Sequence, residues 1–194
     1  MGGADKGLLL LNGRSLACHV AERLRPQVDT LLLSANRNLD AYRSLGFEPL
    51  TDTVNDGERS AGPLAGVLAG LAACRTDWLL TAPCDSPELP PDLAARLLAA
   101  TTAAGGRAAF AATDEDAHPV FMLLRRNLLG ELQGFLASGG RRIRDWQVRV
   151  GAVSVCFPDA RAFANINTAE DLARHRRTAP TTLTPPPHPI PAPR

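Results

Sequence analysis

The sequence of 194 residues has no long apolar run, and the leucine run Leu8–Leu11 is far shorter than the roughly 20 residues that span a bilayer. The N-terminus also lacks the charged-then-apolar pattern of a secretion signal. A net charge of +1 provides no strong field that would attract nucleic acid or an anionic membrane surface. These absences argue against nucleic-acid and membrane partners and favour a cytoplasmic globular protein.

Cysteine is scarce, and its four copies are scattered without a CxxC pair. This spacing argues against a zinc site and against a disulfide framework. We therefore expect reduced thiols, which usually serve as small buried apolar side chains. The cysteines are Cys18, Cys74, Cys84 and Cys156.

Lysine is nearly absent: among 21 basic residues, Lys6 is the one lysine. It follows the glycine pair Gly2-Gly3, where backbone amides can approach phosphate oxygens closely. Lysine offers a compact point charge, whereas arginine offers a planar fork. The hexapeptide 2–7 (GGADKG) therefore suggests phosphate contact, and a frayed terminus with ordinary turn glycines is the alternative.

Short apolar runs alternate with helical patterns along the chain. Strands are predicted over 30–35, 48–50, 78–82, 108–112, 120–124 and 151–156. Helices are predicted over 14–26, 39–45, 63–73, 92–104, 127–137 and 168–177. This alternation indicates an α/β fold with a mostly parallel central sheet and helices on both faces. Because ligands in such sheets bind beyond the carboxyl ends of strands, the loops after Ala35, Leu50 and Ala82 are the candidate site.

The chain divides by composition near residue 178. Residues 1–178 are predicted to form one domain. Residues 179–194 are rich in proline and predict a disordered or polyproline tail, with a ligand for a proline-binding module as the alternative.

Two loops carry candidates for phosphate and metal chemistry. Asp85 follows a buried strand in PCDSP, where one carboxylate with waters and substrate phosphates can hold Mg²⁺; an Asx turn is the alternative. Gly66 ends GPLAG at a helix start, where free amides and the helix dipole attract an anion. Simple helix capping explains GPLAG as well.

Polar residues at other loops could complete a site. Asp52 and Asn36 end strands, although each also suits a turn. The paired arginines Arg141 and Arg142 suit a phosphate on a second substrate, or are merely solvated. The alternating Asn165 and Asn167 could face one polar ligand, and Asn167 could equally cap the last helix.

In chain order, these motifs resemble the molybdenum cofactor guanylyltransferases over nearly all of residues 1–177. GGxDKG, GPLAG and PCD together are specific for this group among nucleotidyltransferases. HP and NINT favour the molybdopterin branch over sugar-nucleotide enzymes. The motifs are GGADKG, SANR, TD, GPLAG, PCDSP, HP, GGRR and NINT.

The resemblance implies a Rossmann-like nucleotidyltransferase fold. It also implies an enzyme that transfers GMP from GTP to molybdenum cofactor. It implies that Lys6 contacts the GTP phosphates and that Asp85 binds Mg²⁺ and the nucleotide. Asp52 would help hold the guanosine. Ser34 stands where we expect an asparagine that contacts GTP, and Asn36 is two residues on. The other implied contacts are Gly2, Gly3 and Gly66 toward the nucleotide, and Arg141, Arg142, Asn165 and Asn167 toward molybdopterin.

The resemblance also implies a first strand and an LAGG-type loop ahead of Gly2-Gly3. We therefore expect the true start to lie upstream of Met1; the alternative is a short, non-catalytic relative. A cytidylyl- or sugar-nucleotide transferase is the alternative enzyme. Cofactor-synthesis proteins and molybdoenzyme chaperones are the expected protein partners.

Overall fold

A computed structural model describes residues 5–51, 55–56, 59–60, 62–166 and 171. Its helices are α1 (Leu16–Leu24), α2 (Leu39–Ser44), α3 (Pro63–Ala73), α4 (Leu93–Ala103), α5 (Leu129–Ala137) and α6 (Ile143–Arg149). Its strands are β1 (Leu10–Leu11), β2 (Arg14–Ser15), β3 (Leu33–Ser34), β4 (Pro49–Leu50), β5 (Asn55–Asp56), β6 (Arg59–Ser60), β7 (Trp78–Thr81), β8 (Ala108–Ala112), β9 (Ala117–Arg125) and β10 (Val153–Cys156). Single 3-10 turns occupy Lys6–Leu8, Arg25–Gln27, Arg126–Leu128 and Ala160–Phe163.

The predicted helices and strands between residues 14 and 156 are confirmed, with shifted ends. The helices begin where the sequence provides starts. The Oγ atom of Ser15 accepts a hydrogen bond from the Cys18 amide at 3.3 Å and caps α1. Pro63 opens α3, and Gly62 before it takes a φ of 61°, which favours glycine. The predicted helix over 168–177 lies outside the described residues except for Asp171, and the predicted tail over 179–194 lies outside them entirely.

The central sheet has the strand order β10-β8-β9-β7 and is mixed. β10 pairs parallel with β8, whereas β9 pairs antiparallel with both β8 and β7. A separate parallel pair joins β3 to β4. The prediction of a mostly parallel sheet is therefore corrected for this part. A short turn links β8 to β9, and strands joined so closely can pair only in opposite directions.

Alternate residues of the sheet face two helical layers, as the period of two in a strand requires. Ala109 and Leu123 pack in one core with residues of α1 and α4. Ala108 and Leu124 pack in a second core with residues of α3, α5 and α6. The prediction of helices on both faces is thus confirmed. None of the helices in the described part of the chain has the length and apolar composition needed to cross a bilayer.

Candidate active site

Lys6 and Asp85 lie far apart in sequence and meet at one end of the sheet. The Nζ atom of Lys6 donates to Oδ2 of Asp85 at 3.3 Å. The Lys6 side chain is about half exposed, whereas the Asp85 side chain is only 9% exposed. A buried carboxylate therefore faces a cation that can turn toward solvent or a ligand. The fold brings these two predicted residues together.

Asp5 connects the Lys6 turn to the loop that follows β3. One carboxylate oxygen accepts from Oη of Tyr42 at 2.7 Å and from the Gly7 amide at 3.3 Å. The other accepts from Nδ2 of Asn38 at 3.2 Å. Asp5 and Tyr42 were not among the predicted site residues. The available signals were the place of Asp5 inside GADKG and the fact that Tyr42 is the single tyrosine.

Gly66 lies in α3 and packs against the end of β3. A Cβ atom added at Gly66 would lie 3.1 Å from Oγ of Ser34, so the serine side chain would have to shift by a few tenths of an ångström. Gly66, Asn36 and Asp85 all line one large cavity. The three predicted residues therefore share one cavity, and the missing side chain of Gly66 permits close packing against Ser34.

Asn165 lies against the Asp85 loop. Its Oδ1 atom accepts a hydrogen bond from Oγ of Ser86 at 2.6 Å, and the neighbouring Ile166 amide donates to the Asp85 carbonyl at 2.8 Å. Ser86 was also not among the predicted site residues, although it lies inside PCDSP. The loop that carries Asn165 is thus fixed beside the buried carboxylate.

An aromatic stack supports the Asn165 loop from the sheet. The ring of His118 on β9 lies 4.4 Å from the ring of Phe163, and the two are nearly parallel. Burial lowers the pKa of His118 below its usual value. The imidazole is therefore neutral near pH 7 and packs as an aromatic ring.

The paired arginines lie between the end of α5 and the start of α6 in this structure. Nη1 of Arg141 donates to the carbonyls of Leu136 and Gly140 at 2.7 and 2.8 Å. Arg142 is exposed and occupies the N-cap position of α6. Neither residue lines the cavity that holds Asp85.

Four predicted site residues fall outside the described residues. They are Gly2, Gly3, Asp52 and Asn167. Their contacts stay predictions.

Comparison with known proteins identifies the family. A family model described as the MobA-like NTP transferase domain matches residues 1–150. A molybdenum cofactor guanylyltransferase of Cupriavidus necator is 51% identical over 180 residues, which cover 90% of this chain and 89% of the relative. One of Ralstonia nicotianae is 50% identical over 181 residues, covering 89% of this chain and 87% of the relative. The chain belongs to the MobA-like NTP transferases.

Solved structures show the same fold for this MobA-like transferase. Molybdopterin-guanine dinucleotide biosynthesis protein A from Archaeoglobus fulgidus superposes with a TM-score of 0.71 at 23% identity, covering 90% of both chains. A cytidylyltransferase from Thermus thermophilus, named for 2-C-methyl-D-erythritol 4-phosphate, gives 0.65 at 17% identity and covers 89% of this chain and 92% of its own. At these identities the likeness concerns the fold alone.

Cys84 lies next to Asp85, and its thiol is protonated near neutral pH. Burial, and then the charges of Asp85 and Asp5, raise the pKa of its thiol to about 11. Burial, and then the hydrogen bond to Asp5, raise the pKa of Tyr42 well above its usual value. Both groups are therefore neutral at pH 7. The cations paired with Asp85 and Asp5 are Lys6 at 3.3 Å and Arg37 at 3.9 Å.

We expect Cys84 to resist alkylation at pH 8 in the folded chain. With a pKa of about 11, its thiolate fraction there is on the order of 0.1%. Mass spectrometry of the Cys84 peptide after a timed iodoacetamide pulse measures the reaction, and the urea-unfolded chain is the control. A folded rate equal to the unfolded rate would contradict the raised pKa of this thiol. Cys84→Ala should accordingly retain nucleotidyl transfer.

Proposed function

We propose that this chain transfers GMP from GTP to molybdenum cofactor and releases pyrophosphate. The contact of Lys6 with Asp85 at 3.3 Å carries the proposal. It unites a lysine from a glycine-rich turn with a buried carboxylate beyond a strand end. Family membership and two relatives named molybdenum cofactor guanylyltransferase support this substrate choice.

The charge distribution suits a triphosphate. Because the Lys6 side chain is about half solvent-exposed, its ammonium group would turn partly away from Asp85 and neutralise phosphate oxygens. At the start of α3, Gly62 provides no side-chain cap to the first turn. The helix dipole and the first-turn amides would therefore favour the phosphates at this end.

Asp85 suits a magnesium ligand that works with the substrate. Among the residues that the structure describes, no group of three or more His, Cys, Asp or Glu side chains could hold a metal by itself. Mg²⁺ commonly uses one or two carboxylates and completes its octahedron with waters and phosphates. A single buried carboxylate fits that pattern. When bound, the ion would polarise the α-phosphate and offset its charge.

The transfer needs little covalent chemistry from the protein. An oxygen of the terminal phosphate of molybdenum cofactor attacks the α-phosphorus of GTP, and the bond from that phosphorus to the bridging oxygen breaks. Pyrophosphate carries away the electron pair. Lys6 and the amides of α3 stabilise the phosphates, while the Asn165 loop and the Asp85 loop hold the reactants in line. The proposal also includes contacts of Arg141, Arg142 and Asn167 with the molybdopterin acceptor.

We assign this activity to the cytoplasm. The cysteines Cys18, Cys74, Cys84 and Cys156 are all free in the structure. Free thiols in these numbers suit a reducing compartment.

Pyrophosphate release tests the proposal. Purified chain is incubated with Mg²⁺, molybdenum cofactor and either GTP or CTP, and the dinucleotide product is identified by mass spectrometry. We expect release with GTP and at least about tenfold less with CTP, which corresponds to about 1.4 kcal/mol of discrimination. A preference for CTP would instead indicate a cytidylyltransferase. Failure to bind either nucleotide would indicate a non-catalytic relative.

A further inference from the structure

The turn that carries Lys6 is short. Residues Lys6–Leu8 form a single 3-10 turn, and Asp5 caps it: Oδ1 of Asp5 accepts a hydrogen bond from the Gly7 amide at 3.3 Å. Turns of this kind have poor hydrogen-bond geometry and do not extend far on their own. The direction in which Lys6 leaves the backbone therefore depends on what holds the Asp5 carboxylate.

Tyr42 holds that carboxylate from inside the core. Its Oη atom donates to the same Oδ1 atom of Asp5 at 2.7 Å. Tyr42 is buried and packs in one cluster with Ala17, Ala21 and Phe47. Packing fixes the ring, and a hydrogen bond from a hydroxyl to a carboxylate is among the stronger ones in proteins. The Tyr42 hydroxyl is therefore a rigid anchor for Asp5.

Two further contacts of Asp5 come from exposed side chains. Nδ2 of Asn38 donates to Oδ2 of Asp5 at 3.2 Å, and Nε of Arg37 lies 3.9 Å from the same oxygen. The Arg37 side chain is 62% exposed, and Asn38 is exposed as well. Solvent competes for such groups, and exposed ion pairs contribute little. The buried Tyr42 hydroxyl is therefore the most rigid of these constraints on the Asp5 side chain.

Lys6 has more freedom than Asp5. The Lys6 side chain is 48% exposed, whereas the Asp5 side chain is only 13% exposed. A lysine side chain has a flexible four-carbon stem, so the turn beneath it decides which region its ammonium group can reach. In this structure that region includes Asp85 at 3.3 Å. A turn held in one position keeps Lys6 at the site before a nucleotide binds, and binding then costs less free energy of ordering.

We propose that Tyr42 is a positioning residue for the triphosphate: its hydroxyl holds Asp5, and Asp5 fixes the turn from which Lys6 reaches the phosphates. Tyr42 needs no contact with the nucleotide for this role. The inference rests on the proposed function only for the assignment of Lys6 to the phosphates. Loss of the Tyr42 hydroxyl should therefore weaken nucleotide binding through Lys6 alone.

Nucleotide binding without the acceptor tests this inference. Isothermal titration calorimetry with GTP and Mg²⁺ gives the Kd for the wild type, Tyr42→Phe, Lys6→Gln and the double variant, and circular dichroism checks that each is folded at the titration temperature. We expect Tyr42→Phe to raise the Kd about tenfold, as the loss of a hydrogen bond to a charged group does. In the Lys6→Gln background, Tyr42→Phe should have no further effect on the Kd, because the side chain that it positions is gone.

Ser44→Ala is the matched control for the lost hydroxyl. Ser44 also lies on α2, and its exposed hydroxyl donates to the Ala41 carbonyl at 2.7 Å. Its removal should leave the Kd for GTP unchanged.

Three results would overturn the inference. They are an unchanged Kd in Tyr42→Phe, an equal rise in Ser44→Ala, and an equal effect of Tyr42→Phe with and without the Lys6 side chain. The last result would show that the hydroxyl supports the fold in general rather than Lys6 in particular.

Failure of the proposed function is a separate outcome. A wild type that binds GTP with the expected coupling but releases no pyrophosphate would leave the positioning role intact. A wild type that binds CTP in place of GTP is titrated with CTP, and the same differences are expected, since Lys6 acts on the triphosphate that both share. A wild type that binds neither nucleotide would overturn both proposals.

Discussion

Asp85→Asn is expected to reduce guanylyl transfer by at least ~10²–10³-fold while the chain stays folded. The substitution keeps size and shape but removes the charge that faces Lys6 at 3.3 Å. It also removes the anionic oxygen proposed to hold Mg²⁺. The Asp85 backbone carbonyl still accepts from the Ile166 amide, so the loop retains its attachment. Pyrophosphate release under saturating GTP measures the effect.

Asp92→Asn is the matched control for this experiment. This variant makes the same aspartate-to-asparagine change at an exposed position, where the carboxylate lies 3.8 Å from Arg96. Exposed pairs of this kind contribute little to stability. Activity should therefore persist in this variant. Wild-type turnover by Asp85→Asn, or equal losses in both variants, would contradict a specific role for the Asp85 carboxylate.

Mg²⁺ dependence separates the two roles of Asp85. If the carboxylate holds the ion, Asp85→Asn should need far more Mg²⁺ for half-maximal release. If it only orients Lys6, the Mg²⁺ requirement should stay as in the wild type. A magnesium titration of both proteins with GTP distinguishes these cases.

The position of Asp85 at the end of the sheet follows from the fold class. The patterns of 63–73 and 78–82 predict a helix and a buried strand, and a strand of such a sheet ends at the ligand crevice. Asp85 comes just after that strand, so its place could be predicted. Its contact with a lysine 79 residues away could be expected only in outline.

Local elements were missed where one pattern masked another. The Asn12-Gly13 pair is a strong hairpin signal, and these residues have φ values of 51° and 80° between β1 and β2. The helix predicted over 14–26 included Arg14, which instead lies in β2, and the turn was not predicted. Ile143 and Trp146 of α6 and its C-cap residue Val150 follow helical spacing. The helix was not predicted, because it is short and follows directly on the glycine-arginine loop.

Side-chain pairings such as Asp5 with Tyr42 could not be predicted from pattern. Tyr42 lies on α2, and its hydroxyl reaches Asp5 only because α2 and the Lys6 turn pack at the same sheet end. Periodicity shows which face of a helix is buried, but not which polar atoms meet there. The same reason hides the stack of His118 on Phe163.

Gly7→Ala is expected to destabilise the chain by about 1–3 kcal/mol, as overpacking in a filled core does. A Cβ atom at Gly7 would overlap Oη of Tyr42 and lie 3.2 Å from Sγ of Cys84. Tyr42 is buried and its hydroxyl is bonded to Asp5, so it cannot move aside cheaply. Urea unfolding measures the loss. Because Gly7 follows Lys6, guanylyl transfer should fall as well.

Gly130→Ala provides the matched control. Gly130 lies on α5, and an added Cβ atom there would meet nothing within 4 Å. Alanine is favoured over glycine inside a helix by roughly 0.5–1 kcal/mol, so this variant should be as stable as the wild type or more stable. A similar loss in both variants would show that glycine replacement itself, rather than the crowded site, causes the effect.

A double-mutant cycle with Tyr42→Phe locates the overlap at one atom. Tyr42→Phe alone should cost about 1 kcal/mol, because the hydrogen bond to Asp5 is lost. It also removes the oxygen that the Gly7→Ala methyl would overlap and leaves Cζ of residue 42 as a neighbour at 3.4 Å. The double variant should therefore be more stable than the sum of the single losses predicts. Additive losses would mean that the methyl disturbs the Lys6 turn through another contact, with Cys84 the next nearest.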